Sequence, residues 1–418
     1  MNYYPRLDEQ VYRRVLPNGL ALEVVKKPGF AKKQAYFVTD FGSIHTHFRF
    51  EGKEHRVPAG IAHYLEHKMF DLPDGRDVSA EFAALGASSN AFTSYDMTAF
   101  EQCLRLLLEF VSTPYFTEES VEKERGIIDQ EIGMNLDAAD SVVFENLARA
   151  MYARHPIREP ILGTSQTIRE ITPENLTLCH RAFYTPGNMM LCVMGDVDPE
   201  AVEKIARELL GDARREVGEK RRDWDEPPEI PLAEVEDTME VAMPTFTLSF
   251  SCPPPGLGDE AIRLEFLADL AAEALFGESS ELYLKLYDEG SIDSSFGGGF
   301  ETIDGCAMLT CGGDSYVPEQ VRSAVLAGAE AFSGLSEESF RRMKRSAFGR
   351  RVKGLDSFDA TCFRVCAYHF SDFDYFRFPE IYDTIQKEDV TAFLKETVRA
   401  ENACLSVIRP VQGGEESC

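Results

Sequence analysis

The sequence predicts an α+β protein made of two homologous domains, each a mixed β-sheet with helices packed on one face. Three observations predict it. Alternating apolar stretches of strand type are interleaved with helical stretches along the whole chain. At 418 residues and 44% apolar content, the chain is too long for one ordinary core and rich enough for two domains of about 200 residues. Finally, SEESFRRMKRSAFGRR at Ser336–Arg351 aligns with TEESVEKERGIIDQEI at Thr117–Ile132, at an offset of 219.

The first half reads as follows. Leu16-Pro17-Asn18-Gly19 forms a tight turn between two strands. Gln34–Phe50, aromatic and alternating, is one strand, with His45 and His47 on one solvent-facing side. Gly60 opens a helix containing GIAHYLEHKMF, and Asp77–Leu85 is a second helix. ASSNAFTSYDMTAFEQC is a strand of modest polarity, followed by a helix at Leu104–Ser112. Thr117 and Ser120 mark the start of a long charged helix through VEKERGIIDQEIGMNL. The strand LCVMGDV then leads into a helix at Pro199–Leu210.

Gly218–Glu236 carries charge runs, paired prolines and few apolar residues, so it reads as a linker, with Trp224 as its anchor. The expected domains are therefore 1–217, a linker at 218–236, and 237–418. In the second half the opening strand is Thr245–Cys252 and an apolar helix is Leu264–Phe276. Gly297-Gly298-Gly299 reads as a loop between strands. Each copy of the long-helix motif is followed by another helical tract.

The copies differ where chemistry is concentrated. Only the first has His63, Glu66 and His67 in the pattern His-x-x-Glu-His. On a helix, two imidazoles four residues apart share a face and can bind one metal ion. Glu66 lies beside them, and a carboxylate that is not a ligand can take a proton from an attacking water. This is the inverted zinc-peptidase motif, with Zn²⁺ as the expected cofactor. A catalytic zinc needs a third protein ligand, and the long helix offers Glu124, Asp129 and Glu131. The second copy has an apolar run, LEFLADLAAEALF, and Arg350 at the position 219 after Glu131.

The net charge of −28 disfavours nucleic acid and anionic membrane as partners. No apolar run approaches the ~20 residues needed to span a bilayer. The first twenty residues lack a basic start followed by an apolar core, so the expected location is cytoplasmic. Ten cysteines are scattered with no C-x-x-C, which predicts reduced, mostly buried thiols, Cys362 and Cys366 included.

With HYLEH, GASSNAFTSYDMTAF, PYFTEESVEKERGIIDQEI and FYTPGNMMLCVMGDVDPEAV in view, the chain resembles the insulysin–pitrilysin–mitochondrial processing peptidase family of inverzincins. It is most similar to half-length bacterial members, particularly those associated with elongation factor P aminopentanol modification. The resemblance implies zinc ligands His63, His67 and Glu131, general base Glu66, and Glu124 as a supporting carboxylate of the catalytic site. It implies that Asn90 and Ala91 pair with the substrate backbone. The activity implied is zinc-dependent endoproteolysis of short or unfolded peptides. One departure from the family pattern lies in LYLKLYDEGSIDSSF at 282–296, where Tyr287 stands in place of an expected Arg and Asp293 in place of an expected Tyr. The missing pair implies a composite site, completed by a homologous subunit that lacks HxxEH and supplies Arg and Tyr, or by a second copy of this chain. The rival expectation is a non-catalytic peptide-binding or scaffold subunit.

Overall fold

The structure, a computed structural model, describes residues 1–411 except 75–77, 85, 87–89 and 102. The first half runs through β1 (Asn2–Tyr4), β2 (Glu9–Val15), β3 (Ala21–Lys26), β4 (Lys33–Thr39), β5 (His47–Phe50) and β6 (Lys53–Arg56). Then come α1 (Ile61–Met69), α2 (Val78–Ala84), β7 (Asn90–Thr93), β8 (Thr98–Glu101), α3 (Leu104–Val111) and α4 (Glu118–Leu136). It closes with α5 (Ala139–Met151), α6 (Pro173–Phe183), β9 (Met189–Gly195) and α7 (Pro199–Leu210). The second half begins with β10 (Glu219–Lys220), β11 (Glu234–Met239), β12 (Thr245–Cys252), α8 (Asp259–Phe276) and α9 (Glu281–Asp288). It continues through β13 (Gly297–Ile303), β14 (Cys306–Asp314), α10 (Pro318–Ala331), α11 (Glu337–Gly354) and α12 (Phe358–Phe370). The last elements are α13 (Phe378–Thr384), α14 (Lys387–Thr397) and β15 (Ala403–Pro410).

A seven-stranded sheet has the order β1-β2-β3-β9-β4-β8-β7, with β3 and β9 parallel and the other pairs antiparallel. A five-stranded sheet has the order β11-β15-β12-β14-β13, with only β11 and β15 parallel. Both sheets are mixed, as the α+β reading expects. A small third sheet is β10-β5-β6.

The chain forms two compact units that trade segments. Unit 1 is Met1–Ile132, Glu159–Arg221 and Arg350–Pro379; unit 2 is the rest. In unit 1 one sheet face meets a core containing Phe37, Leu191, Tyr64, Leu65 and Phe110. α12 covers the opposite face, packing on β4 and β9. That is why β9 is buried at every position. Strand alternation turns Cys192 away from that core, toward Cys362 and Cys366 of α12. In unit 2, α5 packs in the same way on β12, β15 and β11. α5 and α12 are themselves related by the offset of 219. Each copy thus lends one helix to the other copy's sheet. The linear division at 218–236 is proposed only as the trace of the duplication.

Several local expectations are corrected. Gln34–Phe50 is two strands, because residues 43 and 44 leave β4's ladder and donate to the carbonyls of Ser94 and Tyr95 at 3.0 Å. His45 is buried in that turn, where its Nδ1 accepts from the Gly42 N–H at 2.9 Å, so it does not face solvent with His47. Within ASSNAFTSYDMTAFEQC, residues 90–101 are a hairpin, β7–β8, whose turn is fastened by Ser94 Oγ accepting from Met97 N–H at 3.1 Å, while 87–89 and 102 lie outside the described residues. The expected linker is not free of structure, since its ends form β10 and the start of β11. Gly297–Gly299 opens strand β13. A Cβ on Gly298 would sit 2.4 Å from the Phe276 ring and 2.8 Å from the Thr310 carbonyl, so Gly298 is glycine because α8 presses on the strand there; Gly297 and Gly299 have open space. Every described cysteine is a free thiol, and all but Cys103 are buried.

Candidate metal centre

α1 begins abruptly at Gly60, whose φ of 89° places it in the left-handed region. A Cβ there would lie 2.4 Å from the Leu162 carbonyl oxygen, so the helix start is pressed against the 162–163 loop. Ile61, Tyr64, Leu65 and Met69 form the buried stripe of α1. His63, Glu66 and His67, at spacings of three and four, form an adjacent stripe. α4 starts with a reciprocal cap: Ser120 N–H donates to Thr117 Oγ1 at 3.1 Å, and Thr117 N–H to Ser120 Oγ at 3.3 Å. Val121, Ile128 and Ile132 bury one side of α4. Glu124 and Glu131, seven residues apart, share the neighbouring stripe. The Tyr64 hydroxyl donates to the Val121 carbonyl and docks α1 on α4.

This docking brings His63, His67 and Glu131 together. Glu131 Oε2 lies 3.6 Å from His63 Nε2 and 3.5 Å from His67 Nε2. All three donor atoms lie within 4.8 Å of one another, and among the described residues this is the sole such group of His, Cys, Asp and Glu. A tetrahedron with 2.0–2.1 Å bonds has edges of about 3.3 Å, so the donor set fits a zinc-sized ion. His67 Nδ1 donates to Glu124 Oε1 at 3.0 Å, which leaves Nε2, 3.5 Å from Glu131 Oε2, with its lone pair available to a metal ion. The protein atoms alone leave the buried His63 Nδ1 without a partner.

The electrostatics suit ligation. Burial, helped by the charge of His67, pushes His63 down to about 4, so its imidazole is neutral at ordinary pH. Burial also opposes protonation of His67, but the Glu124 hydrogen bond and the charges of Glu131 and Glu66 outweigh it and raise its pKa. Burial would raise Glu124, but the His67 hydrogen bond, the His67 charge and the Lys68 charge hold it below its usual value. Glu66 is 7% exposed. Its pKa is raised by burial and by Glu131, against the Thr93 hydrogen bond and His67.

Asn90 and Ala91 lie on β7, the edge strand of the seven-stranded sheet, which packs beside α1. Asn90 is exposed and Ala91 half-buried. Two residues on, Thr93 Oγ1 donates to Glu66 Oε2 at 2.8 Å. Sequence reasoning missed Thr93, although period-2 alternation places it on the face of Ala91. It also missed Lys68. Tyr287 is half-exposed and stacks on Tyr283 at 5.8 Å. Asp293 accepts from Ser295 N–H at 2.7 Å and Ser295 Oγ at 2.6 Å, which lowers its pKa.

The family model described as Insulinase (Peptidase family M16) matches residues 49–165, and the one described as Peptidase M16 inactive domain matches 170–347. The uncharacterized zinc protease YmfH of Bacillus subtilis (strain 168) is 36% identical over 97% of this chain and 98% of its own. An uncharacterized zinc protease of Rickettsia felis is 30% identical over 49% of this chain and 50% of its own. An M16-like peptidase from Alicyclobacillus acidocaldarius has a TM-score of 0.91 at 31% identity, covering 96% of this chain and 99% of that one. A protease from Helicobacter pylori shares the fold, with a TM-score of 0.82 at 17% identity, covering 96% of this chain and 100% of that one. The chain belongs to peptidase family M16, the insulinase family.

Proposed function

We propose that this chain is a zinc-dependent metalloendopeptidase acting on short or unfolded peptides, and that it carries the metal-bearing half of a composite active site. The observation that supports it most is the convergence of His63 Nε2, His67 Nε2 and Glu131 Oε2 beside a buried acid, Glu66. Relatives named as zinc proteases support the same reading. A zinc ion held by those three residues would supply Lewis acidity toward water and the scissile carbonyl. Glu66 is the proton carrier. Thr93 fixes its Oε2, and the carboxylate takes a proton from the attacking water and returns it to the leaving amine nitrogen as the C–N bond breaks. Glu124 orients His67. β7, the edge strand of the sheet among the described residues, binds an extended peptide at Asn90 and Ala91 through its main chain, which tolerates varied sequences.

Tyr287 stands where a cationic group is expected around an oxyanion and Asp293 where a phenol is expected, and an aspartate there would repel an oxyanion. A homologous subunit lacking HxxEH, or a second copy of this chain, supplies that half. No helix among the described residues is long and apolar enough to cross a membrane; we place the protein in the cytoplasm. The test is zinc quantification with a quenched-peptide assay, with and without the homologous subunit. One zinc per chain is expected, with weak cleavage alone and strong cleavage with the partner. Full turnover by the pure chain would overturn the composite site. Peptide binding without cleavage, even with the partner present, would favour a non-catalytic subunit.

A further inference from the structure

Lys68 follows His67 directly and is 1% exposed. Its position continues the stripe of Ile61, Tyr64 and Leu65, where the helix pattern calls for an apolar residue. A charge in such a place breaks the local rule, and such breaks concentrate at working sites. The ammonium has two hydrogen-bond acceptors and one further ion-pair partner. It donates to the Asp71 carboxylate, it reaches the Ser120 carbonyl at 3.2 Å, and it lies 3.8 Å from Glu124 Oε2. Glu124 Oε1 is the oxygen that accepts from His67 Nδ1. The Glu124 carboxylate is therefore engaged at both oxygens, by an imidazole on one side and an ammonium on the other.

We propose that Lys68 is a positioning residue of the metal centre, acting through Glu124 to fix the orientation of the His67 imidazole toward the ion. The inference rests on the zinc reading above. A plain tie between α1 and α4 does not require a buried charge, because the Tyr64–Val121 hydrogen bond already makes one. Asp71 is the nearer anion, but its side chain is 42% exposed, whereas Glu124 is 15% exposed and its attraction to Lys68 is less screened by water. Without Lys68, Glu124 keeps the His67 hydrogen bond and the charge of Lys123 but loses the ammonium at its second oxygen, and can rotate away from the imidazole.

The experiment is competition for zinc against a chromophoric chelator, using full-length apo protein, with apo melting curves as a separate report on folding. Lys68→Met is expected to bind zinc about 10-fold more weakly, the lower end of the effect of losing an outer-shell partner. Lys68→Arg is expected to recover part of that loss. In a Glu124→Gln background, Lys68→Met should cost less than about twofold further, because the residue it acts through is already disabled. Asp71→Asn, on the surface, should bind zinc as tightly as wild type or more tightly, since it releases the ammonium to Glu124; this variant decides the matter if Lys68→Met does not fold. Unchanged affinity in Lys68→Met, an equal loss in both backgrounds, or weaker binding by Asp71→Asn would each overturn the proposal. Wild-type protein that takes up no zinc would sink the metal reading itself, a separate and prior failure.

Discussion

The helix pairs α1–α4 and α8–α11 occupy corresponding places in a duplicated chain, yet only the first pair gathers metal-binding groups. One packing position is shared. Val121 of α4 and Phe340 of α11, 219 apart, are both buried. The polar positions are not shared. Glu124 corresponds to Met343 and Glu131 to Arg350, while the apolar helix α8 carries no histidine. The difference separates two layers of specification. Apolar residues at helical spacing pack α1 and α4 in the first copy and α8 in the second. A handful of polar residues on one adjacent stripe builds the centre in the first copy alone.

The sharpest way to break this comparison is to make the first copy read like the second. Glu131→Arg is expected to reduce zinc affinity by at least about a thousandfold, because a ligand is replaced by a cation. Zinc at 100 times the dissociation constant should stabilise the wild type by about 2.7 kcal/mol, and the variant by nothing measurable. Melting curves with and without zinc check both statements. A variant that still takes up one zinc per chain with wild-type affinity would mean that residue 131 is no ligand.

The next effect concerns proton transfer without metal binding. Glu66→Gln should retain zinc to within about threefold, while peptide cleavage by the assembled enzyme falls by about 10²–10⁴, the usual contribution of a general acid–base group. Equal loss of zinc and of turnover would make Glu66 a ligand or a structural residue instead.

The two same-face pairs of the candidate centre were legible in the sequence because their spacing is local, whereas Glu131 was singled out from Glu124 and Asp129 only by the family resemblance. Four residues separate His63 from His67 and seven separate Glu124 from Glu131, so each pair shares a face whatever the tertiary context. What surrounds the centre was not legible. Thr93 meets Glu66, and Lys68 meets Glu124, only after β7 and α4 dock beside α1. No spacing rule links residues 27 or 56 positions apart. The same limit hid the exchange of α5 and α12, since an amphipathic pattern says which face of a helix is buried but not which sheet buries it. The hairpin at 90–101 was read as one strand because its turn residues, Ser94-Tyr95-Asp96, lack the glycine or proline that usually marks one.

A smaller, graded effect follows from the unequal histidines. Zinc must displace any proton on His67 Nε2, and the surrounding carboxylates raise its pKa above the ordinary 6.5. Affinity is therefore full at pH above that raised value. It falls as pH drops through it, approaching tenfold per pH unit below. His63, pushed down to about 4, adds to the loss only near that pH. Chelator competition across the neutral and acid range reads the slope. A flat profile down to about pH 5 would mean that the carboxylates do not hold a proton on His67.

The smallest effect tests the comparison from the other side. Arg350→Glu gives α11 the carboxylate that α4 has at residue 131. If one acid at that position were enough to define a centre, the chain would take up a second zinc. The geometry of the first copy argues otherwise, since there the carboxylate is the third donor, added to two imidazoles already one helical turn apart. α8 has no such pair, and a lone exposed carboxylate holds zinc far too weakly to count. Arg350→Glu is therefore expected to bind one zinc per chain, with an affinity within about twofold of wild type because the first copy's donors are untouched. A stoichiometry of two would show that the second copy keeps a latent centre that an arginine suppresses.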